Sequence, residues 1–165
     1  MEKIEFVYAA FIRTTPEKLW EALTKPEFMR QYWYNSWAEC DWKVGSPWKL
    51  MTPDGGVADA GDVLESDPPN RLVIRWRNEF RPELKAEGFT RCTFELTQKA
   101  EMTEFIVTHE SDRDGSKMIE AVSGGWPKIL SSLKSLIETG KAFSQTTRTK
   151  DAQIKGPKLF SGSPL

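Results

Sequence analysis

The sequence predicts a single α+β domain in which a curved antiparallel sheet wraps around a long C-terminal helix. Three observations carry this prediction. Residues 36–111 break into short alternating runs separated by turn residues, whereas residues 117–140 switch to a helical period. The 165 residues also suffice for one core without disulfides or a structural metal.

Each element follows from local pattern. Over residues 3–13, Ile4, Phe6, Tyr8 and Ile12 share one parity and Val7 and Phe11 the other, which predicts a first strand covered on both faces. Thr14-Thr15-Pro16-Glu17 then supplies a cap, a proline for the first turn and an acid at the positive helix end. Leu19, Trp20 and Leu23 follow at helical spacing to about Thr24. Pro26 closes that helix, and Phe28, Met29 and Tyr32 predict a second short helical turn.

Turn signals at Gly45-Ser46-Pro47, Pro53-Asp54-Gly55-Gly56, Asp67-Pro68-Pro69-Asn70 and Lys99-Ala100-Glu101 separate six consecutive antiparallel strands. Leu72, Ile74 and Trp76 stand against Arg71, Arg75 and Arg77, and Cys92, Phe94 and Leu96 stand against Arg91, Thr93 and Glu95. One face is therefore apolar and the other a wet, salt-bridged surface. In the last strand Thr103, Phe105, Val107 and His109 share a side. Beyond Asp112-Arg113-Asp114-Gly115, Met118, Val122, Trp126, Ile129, Leu133 and Leu136 step by three or four, with Ile119, Leu130 and Ile137 widening the stripe up to Gly140. Pro127, just after Gly124-Gly125, predicts a bend that lets this helix follow a curved sheet. Residues 1–140 thus make up the domain. Residues 141–165 form a polar tail with scattered Phe143, Ile154, Leu159 and Phe160, expected to lean on the domain's own surface or on a second copy in a homodimer.

Charge and composition remove several function classes. Lysine plus arginine total 23 against 24 acids, so no long-range field favours nucleic acid or an anionic membrane. Cys40 and Cys92 lack the paired spacing of a zinc site or a redox dithiol, and reduced thiols fit a cytoplasmic protein. The opening residues alternate charge and hydrophobe where a secretory signal needs an apolar stretch, and no segment reaches membrane-spanning length.

Candidate functional residues fall into two groups. Tyr32, Trp33, Tyr34, Trp37, Trp42 and Trp48 crowd rings into seventeen residues; Trp20, Trp33 and Trp126 are read as core. Tyr32, Tyr34, Trp37 and Trp48 either fill the core too or line a cavity mouth, where rings give flat apolar contact and polar tips set orientation. Inward residues Trp48, Leu50, Leu72, Ile74, Trp76, Phe94, Leu96, Phe105, Met118 and Val122 form a lining suited to an apolar or aromatic ligand, unless they simply fill the space. His109 is the single histidine and the one side chain suited to general-base chemistry near neutrality, although a histidine bonded to its neighbours is the plainer expectation. A sole histidine argues against a zinc site, and Asp112-Arg113-Asp114-Gly115 lacks the later oxygens of a calcium loop. No metal or cofactor is expected.

Thr15-Pro16-Glu17-Lys18-Leu19-Trp20, Leu23-Thr24-Lys25-Pro26-Glu27, Gly61-Asp62-Val63-Leu64-Glu65, Asp67-Pro68-Pro69-Asn70-Arg71-Leu72, Trp76, Thr108-His109-Glu110 and Gly125-Trp126 occur in this order. This set resembles the activator-of-heat-shock-protein-90-ATPase homologue branch of the START-like, or SRPBCC, superfamily, which includes the Bet v 1-type proteins. The resemblance spans roughly residues 3–139 and implies a helix-grip fold of order β-α-α-β6-α. It implies a binding protein that holds a small hydrophobic or aromatic molecule in an internal cavity. The branch also implies a second role, a co-chaperone-like domain that stimulates a chaperone ATPase. Catalytic relatives imply a third, a cyclase-like or hydrolase-like enzyme using His109 with a cavity carboxylate or tyrosine.

Overall fold

The apolar parity of the alternating runs becomes one side of a seven-stranded antiparallel sheet in the computed structural model, which describes residues 4–146. Across the sheet the order is β1 (Ile4–Ile12), β7 (Met102–Ser111), β6 (Thr90–Lys99), β5 (Arg71–Asn78), β4 (Val57–Asp67), β3 (Pro47–Met51) and β2 (Trp37–Glu39). Strands β2 to β7 are a continuous meander, and β1 closes onto β7 with Phe6 opposite His109. The element order is therefore the β-α-α-β6-α of a helix-grip domain.

Two short helices, α1 (Pro16–Thr24) and α2 (Pro26–Tyr32), join β1 to β2. The Thr15 hydroxyl caps α1 by accepting from the Lys18 amide at 3.2 Å, and Pro16 occupies the first turn. A further helical turn, α3 (Pro82–Lys85), was not expected, because four residues are too few to show a period. Beyond it, the Glu87 carboxylate accepts from the Ser116 hydroxyl at 2.7 Å and the Lys117 amide at 2.8 Å. It thereby satisfies donors at the N-terminus of the long helix α4 (Lys117–Thr139). That helix runs unbroken through Pro127 and stops at Gly140, whose left-handed φ of 84° lets its amide reach the Leu136 carbonyl at 2.8 Å.

Val122, Trp126, Ile129 and Leu133 on α4 are wholly buried against the sheet. Each such side chain contributes roughly 1.5–3 kcal/mol by leaving water. Ion pairs on the outer face, such as Arg71 with Glu95 and Arg75 with Asp62, contribute only about 0–1 kcal/mol each. The helix is thus held by its apolar stripe. One expectation fails here: β1 is not covered on both faces, since Val7 is 53 % and Phe11 44 % exposed. As the strand at the sheet's end, β1 packs its inner side against α4, and no described element lies over its outer side.

The start of the tail folds back onto the domain. A 3₁₀ turn at Ser144–Thr146 buries Thr146, whose carbonyl accepts from the Tyr34 amide and whose hydroxyl bonds Ser132 on α4. Ser132 Oγ also accepts from the Phe143 amide at 3.0 Å. The remainder of the expected tail, 147–165, lies outside the described residues. Because Ser132 is completely buried, Ser132→Ala should leave the Phe143 donor unsatisfied and lower the unfolding free energy by about 1–3 kcal/mol. Deletion after Gly140 should cost at least as much in a urea titration. A change below about 0.5 kcal/mol in both would show that this segment does not brace the domain.

Candidate functional site

The space between the α1–β2 stretch and the sheet forms an apolar pocket. Its roof is Leu23, Met29, Trp33, Ala38 and Trp42, and its floor is Trp48, Leu50, Leu72, Ile74, Trp76 and Phe94 from β3, β5 and β6. The free volume is about 20 Å³, room for about one water molecule. Its own rings fill most of this space. Trp76 is the hub, with its ring centroid 4.8 Å from Trp48, 5.6 Å from Trp126 and 6.3 Å from Trp33. Edge-to-face contacts such as Trp48–Trp76 add about 0.5–1.5 kcal/mol each beyond burial.

Of the residues the sequence nominated, Trp48, Leu50, Leu72, Ile74, Trp76 and Phe94 meet at this pocket. Phe105, His109, Met118 and Val122 are buried but do not line it, because α4 packs its stripe directly on β1 and β7. The pocket therefore sits under the short helices, not under the long one. Tyr32, Tyr34 and Trp37 do not form its mouth. The Tyr32 hydroxyl is buried and donates to the Ala22 carbonyl at 2.7 Å. Tyr34 is buried where the chain leaves α2, and Trp37 is half-buried at the margin of the core, its ring 4.0 Å from the Arg30 guanidinium. Leu23, Met29, Trp33, Ala38 and Trp42 also line it and were not nominated: Trp33 was read as core, and helical spacing or ring density marked the neighbourhood of the others without assigning them to a site.

A buried indole needs an acceptor for its N–H, and the fold supplies one repeatedly. Trp48 donates to the Arg75 carbonyl at 2.8 Å, Trp42 to the Thr24 carbonyl at 3.2 Å and Trp76 to Asp59 at 2.8 Å. The Trp48 bond depends on Gly61, where a Cβ would fall 1.7 Å from the Arg75 oxygen and 2.9 Å from the indole nitrogen. Trp33 is the exception: its Nε1 is the single buried side-chain polar atom without a hydrogen-bond partner among the described residues.

His109 lies behind the pocket in a closed relay. Trp126 Nε1 donates to His109 Nδ1 at 3.2 Å, so the ring proton sits on Nε2, which donates to the Thr90 hydroxyl at 2.7 Å. The Thr90 hydroxyl in turn donates to the Trp76 carbonyl at 3.0 Å. Both ring nitrogens are thereby used, and burial pushes the imidazole pKa down to about 3. His109 is thus hydrogen-bonded to its neighbours through both ring nitrogens, Nδ1 accepting and Nε2 donating. Asp59 is the opposite case. It is buried, accepts from Trp76 and from Asn78 at 3.1 Å, and burial raises its carboxyl pKa to about 7. Its place on β4 was hidden by a register shift against Leu50 and Met51 that skips Ala58, so that Ala58 and Asp59 are both buried and the strand's alternation breaks there. Among the described residues, no three of His, Cys, Asp and Glu come together as a metal site requires, and no helix is long and apolar enough to cross a membrane.

Meander, terminal helix and ring-lined pocket define a START-like helix-grip domain. More narrowly, residues 13–138 match the family of Activator of Hsp90 ATPase homolog 1-like proteins, and the chain belongs to that family. Among solved structures, protein MLL2253 of Mesorhizobium loti is 24% identical, with a TM-score of 0.70 over 82% of this chain and 97% of that one. The Aha1 dimer of Colwellia psychrerythraea is 22% identical at a TM-score of 0.66, covering 84% of this chain and 99% of its own. An HSP90 activator from Plasmodium falciparum is also 22% identical at 0.66, covering 80% and 94%. No curated protein matches the sequence.

His109 and Asp59 predict an unusual acid profile. The folded imidazole pKa of about 3 lies below its unfolded value near 6.5, so its contribution is complete above pH 6.5 and is lost as pH falls toward 3. The raised carboxyl of Asp59 works the other way: its contribution is complete below its unfolded value near 3.8 and is lost as pH rises to about 7. Between pH 4 and 6.5 the two slopes, each about 1.4 kcal/mol per pH unit, oppose one another. Asp59→Asn should uncover a stability that climbs with pH through this window, and His109→Gln one that declines. Parallel wild-type and mutant curves in pH-dependent denaturation would refute the assignment.

Proposed function

We propose that the protein is a binding module that holds a small apolar or aromatic molecule between the α1–β2 roof and the sheet. The observation that carries this reading is the pocket itself, eleven apolar and aromatic residues with five rings among them. The 20 Å³ of free space is too small for any such molecule, so a ligand enters by displacing roof side chains. Met29 and Trp42 are suited to this: one is an unbranched, adaptable chain and the other is half-buried on a loop. The relative CalU16 of Micromonospora echinospora, 18% identical over 97% of this chain, and a protein of the dynemicin biosynthetic locus support the fold of the reading and leave its ligand open.

The protein should bind the neutral tricyclic probe fluorene with one-to-one stoichiometry and quenched tryptophan emission. At a hundred times the dissociation constant it should gain about 2.7 kcal/mol of stability, read as a rise in melting temperature. Ala38→Leu, which pushes a branched side chain into the remaining space, should weaken binding at least tenfold. Unchanged emission and melting temperature across the soluble range of fluorene would end the proposal.

A second reading has its own observation. Val7, Ala9 and Phe11 present an exposed apolar row on the outer side of β1, and an HSP90 activator shares the fold. Such a row suits contact with another protein. On this reading the chain stimulates the ATPase of an Hsp90-type chaperone, and Val7→Glu with Phe11→Glu abolishes the effect. No stimulation by the wild type at saturating concentration removes it.

A further inference from the structure

The unpaired indole N–H of Trp33 narrows what the pocket can take. Trp33 is 97% buried, lines the pocket and has no acceptor among the described residues. An unsatisfied buried donor costs about 1–3 kcal/mol, and native structures rarely leave one without a reason. A single water is a poor remedy. It needs two to four polar partners, and here it would meet one donor and an otherwise apolar wall.

The other indoles at the pocket do not share this property. Trp42, Trp48 and Trp76 direct their N–H groups to the Thr24 carbonyl, the Arg75 carbonyl and Asp59. The remaining lining side chains carry no nitrogen or oxygen. The residues that line the pocket therefore carry one unpaired side-chain donor, on Trp33, no unpaired side-chain acceptor and no charge. A carboxylate or phosphate would lose its hydration for one hydrogen bond, and an alcohol would bring a donor with nowhere to go. A ring carbonyl or ring ether brings only what is missing. The ring-lined walls favour a flat body to carry it.

Resting on the binding-module reading, we infer that the ligand is a neutral, planar aromatic molecule with a hydrogen-bond acceptor, such as a ring ketone, and that Trp33 Nε1–H is the donor that receives it. The bond forms as the roof moves aside, converting the buried orphan into a paired group. Selectivity against charged and hydroxylated analogues follows from the same count of donors and acceptors.

Fluorenone and fluorene test this directly, because the two tricyclic probes differ only in a carbonyl in place of a methylene. Trp33→Phe keeps a ring and removes the N–H. It should lower fluorenone affinity relative to fluorene by about three- to tenfold, the range expected of one net hydrogen bond. With the wild-type protein, the carbonyl stretch of bound fluorenone should move to the lower wavenumber it shows in alcohol, a readout that does not depend on the variant folding. A relative affinity unchanged by Trp33→Phe, or a wild-type stretch like that in hydrocarbon, overturns the inference while fluorene binding leaves the binding module standing. Failure of both probes to bind the wild type overturns the two together.

Discussion

A buried tryptophan is a large apolar plate with one obligatory donor, and the interior of this protein is organised by where each of those donors goes. Trp76 sits at the hub because β5 places it inward, between Trp48 and Trp126, with its N–H turned to Asp59. Trp48 can approach the β5 backbone only because Gly61 has no side chain there. Trp126 reaches His109 from the long helix, and that bond fixes which nitrogen of the imidazole carries the proton. Each constraint is local. Together they lock helix to sheet in one register, which apolar contact alone, being non-directional, does not do.

The relay from Trp126 through His109 and Thr90 to the Trp76 carbonyl also decides chemistry. A histidine that accepts from one side and donates to the other has no role left to exchange, and a second proton would set two N–H groups against each other. Desolvation and hydrogen bonding thus push in the same direction, toward a neutral ring. Asp59 holds the other titrating position next to the hub, where the same burial favours the protonated acid. Uncharged side chains in a shared apolar surround avoid the several kcal/mol that each isolated ion would cost. This centre pairs burial with hydrogen bonding at each polar group it contains.

The fold was legible because period and punctuation agree along the chain. Alternation in Leu72–Trp76 and Cys92–Leu96, and the three-to-four spacing from Met118 to Leu136, each point one face inward. Short or irregular elements escaped: α3 has too few residues for a period, and an alternating run does not reveal that β1 ends the sheet and leaves Val7 and Phe11 exposed. The site was half legible. Its floor lies on regular strands and could be read by parity, whereas its roof is a short helix end, a loop and a three-residue strand. Ring density marked that region, but Trp33, read from sequence as core, lines the pocket, and Tyr32, a candidate for its mouth, does not. The deciding feature, an N–H without a partner, belongs to three-dimensional packing and has no counterpart in residue order.

The difference between floor and roof also settles which of them can yield. Floor residues stand on β3, β5 and β6, so moving one disturbs ladder hydrogen bonds on both sides of its strand. The roof is joined to the sheet by β2, three residues paired on one side only. At either end of it the backbone is already in the left-handed region, at Tyr34 and Asn35 before β2 and at Trp42 after it, with φ of 51°, 56° and 59°. Non-glycine residues held there cost on the order of 1–3 kcal/mol each, so the closed roof carries a load that packing must offset. The Thr146 carbonyl takes the Tyr34 amide and supplies part of that offset from the start of the tail. On the proposed binding reading, a stiff floor and a lightly tethered, strained roof make the roof the side that yields, and the bracing contact at Tyr34 ties the start of the C-terminal segment to it.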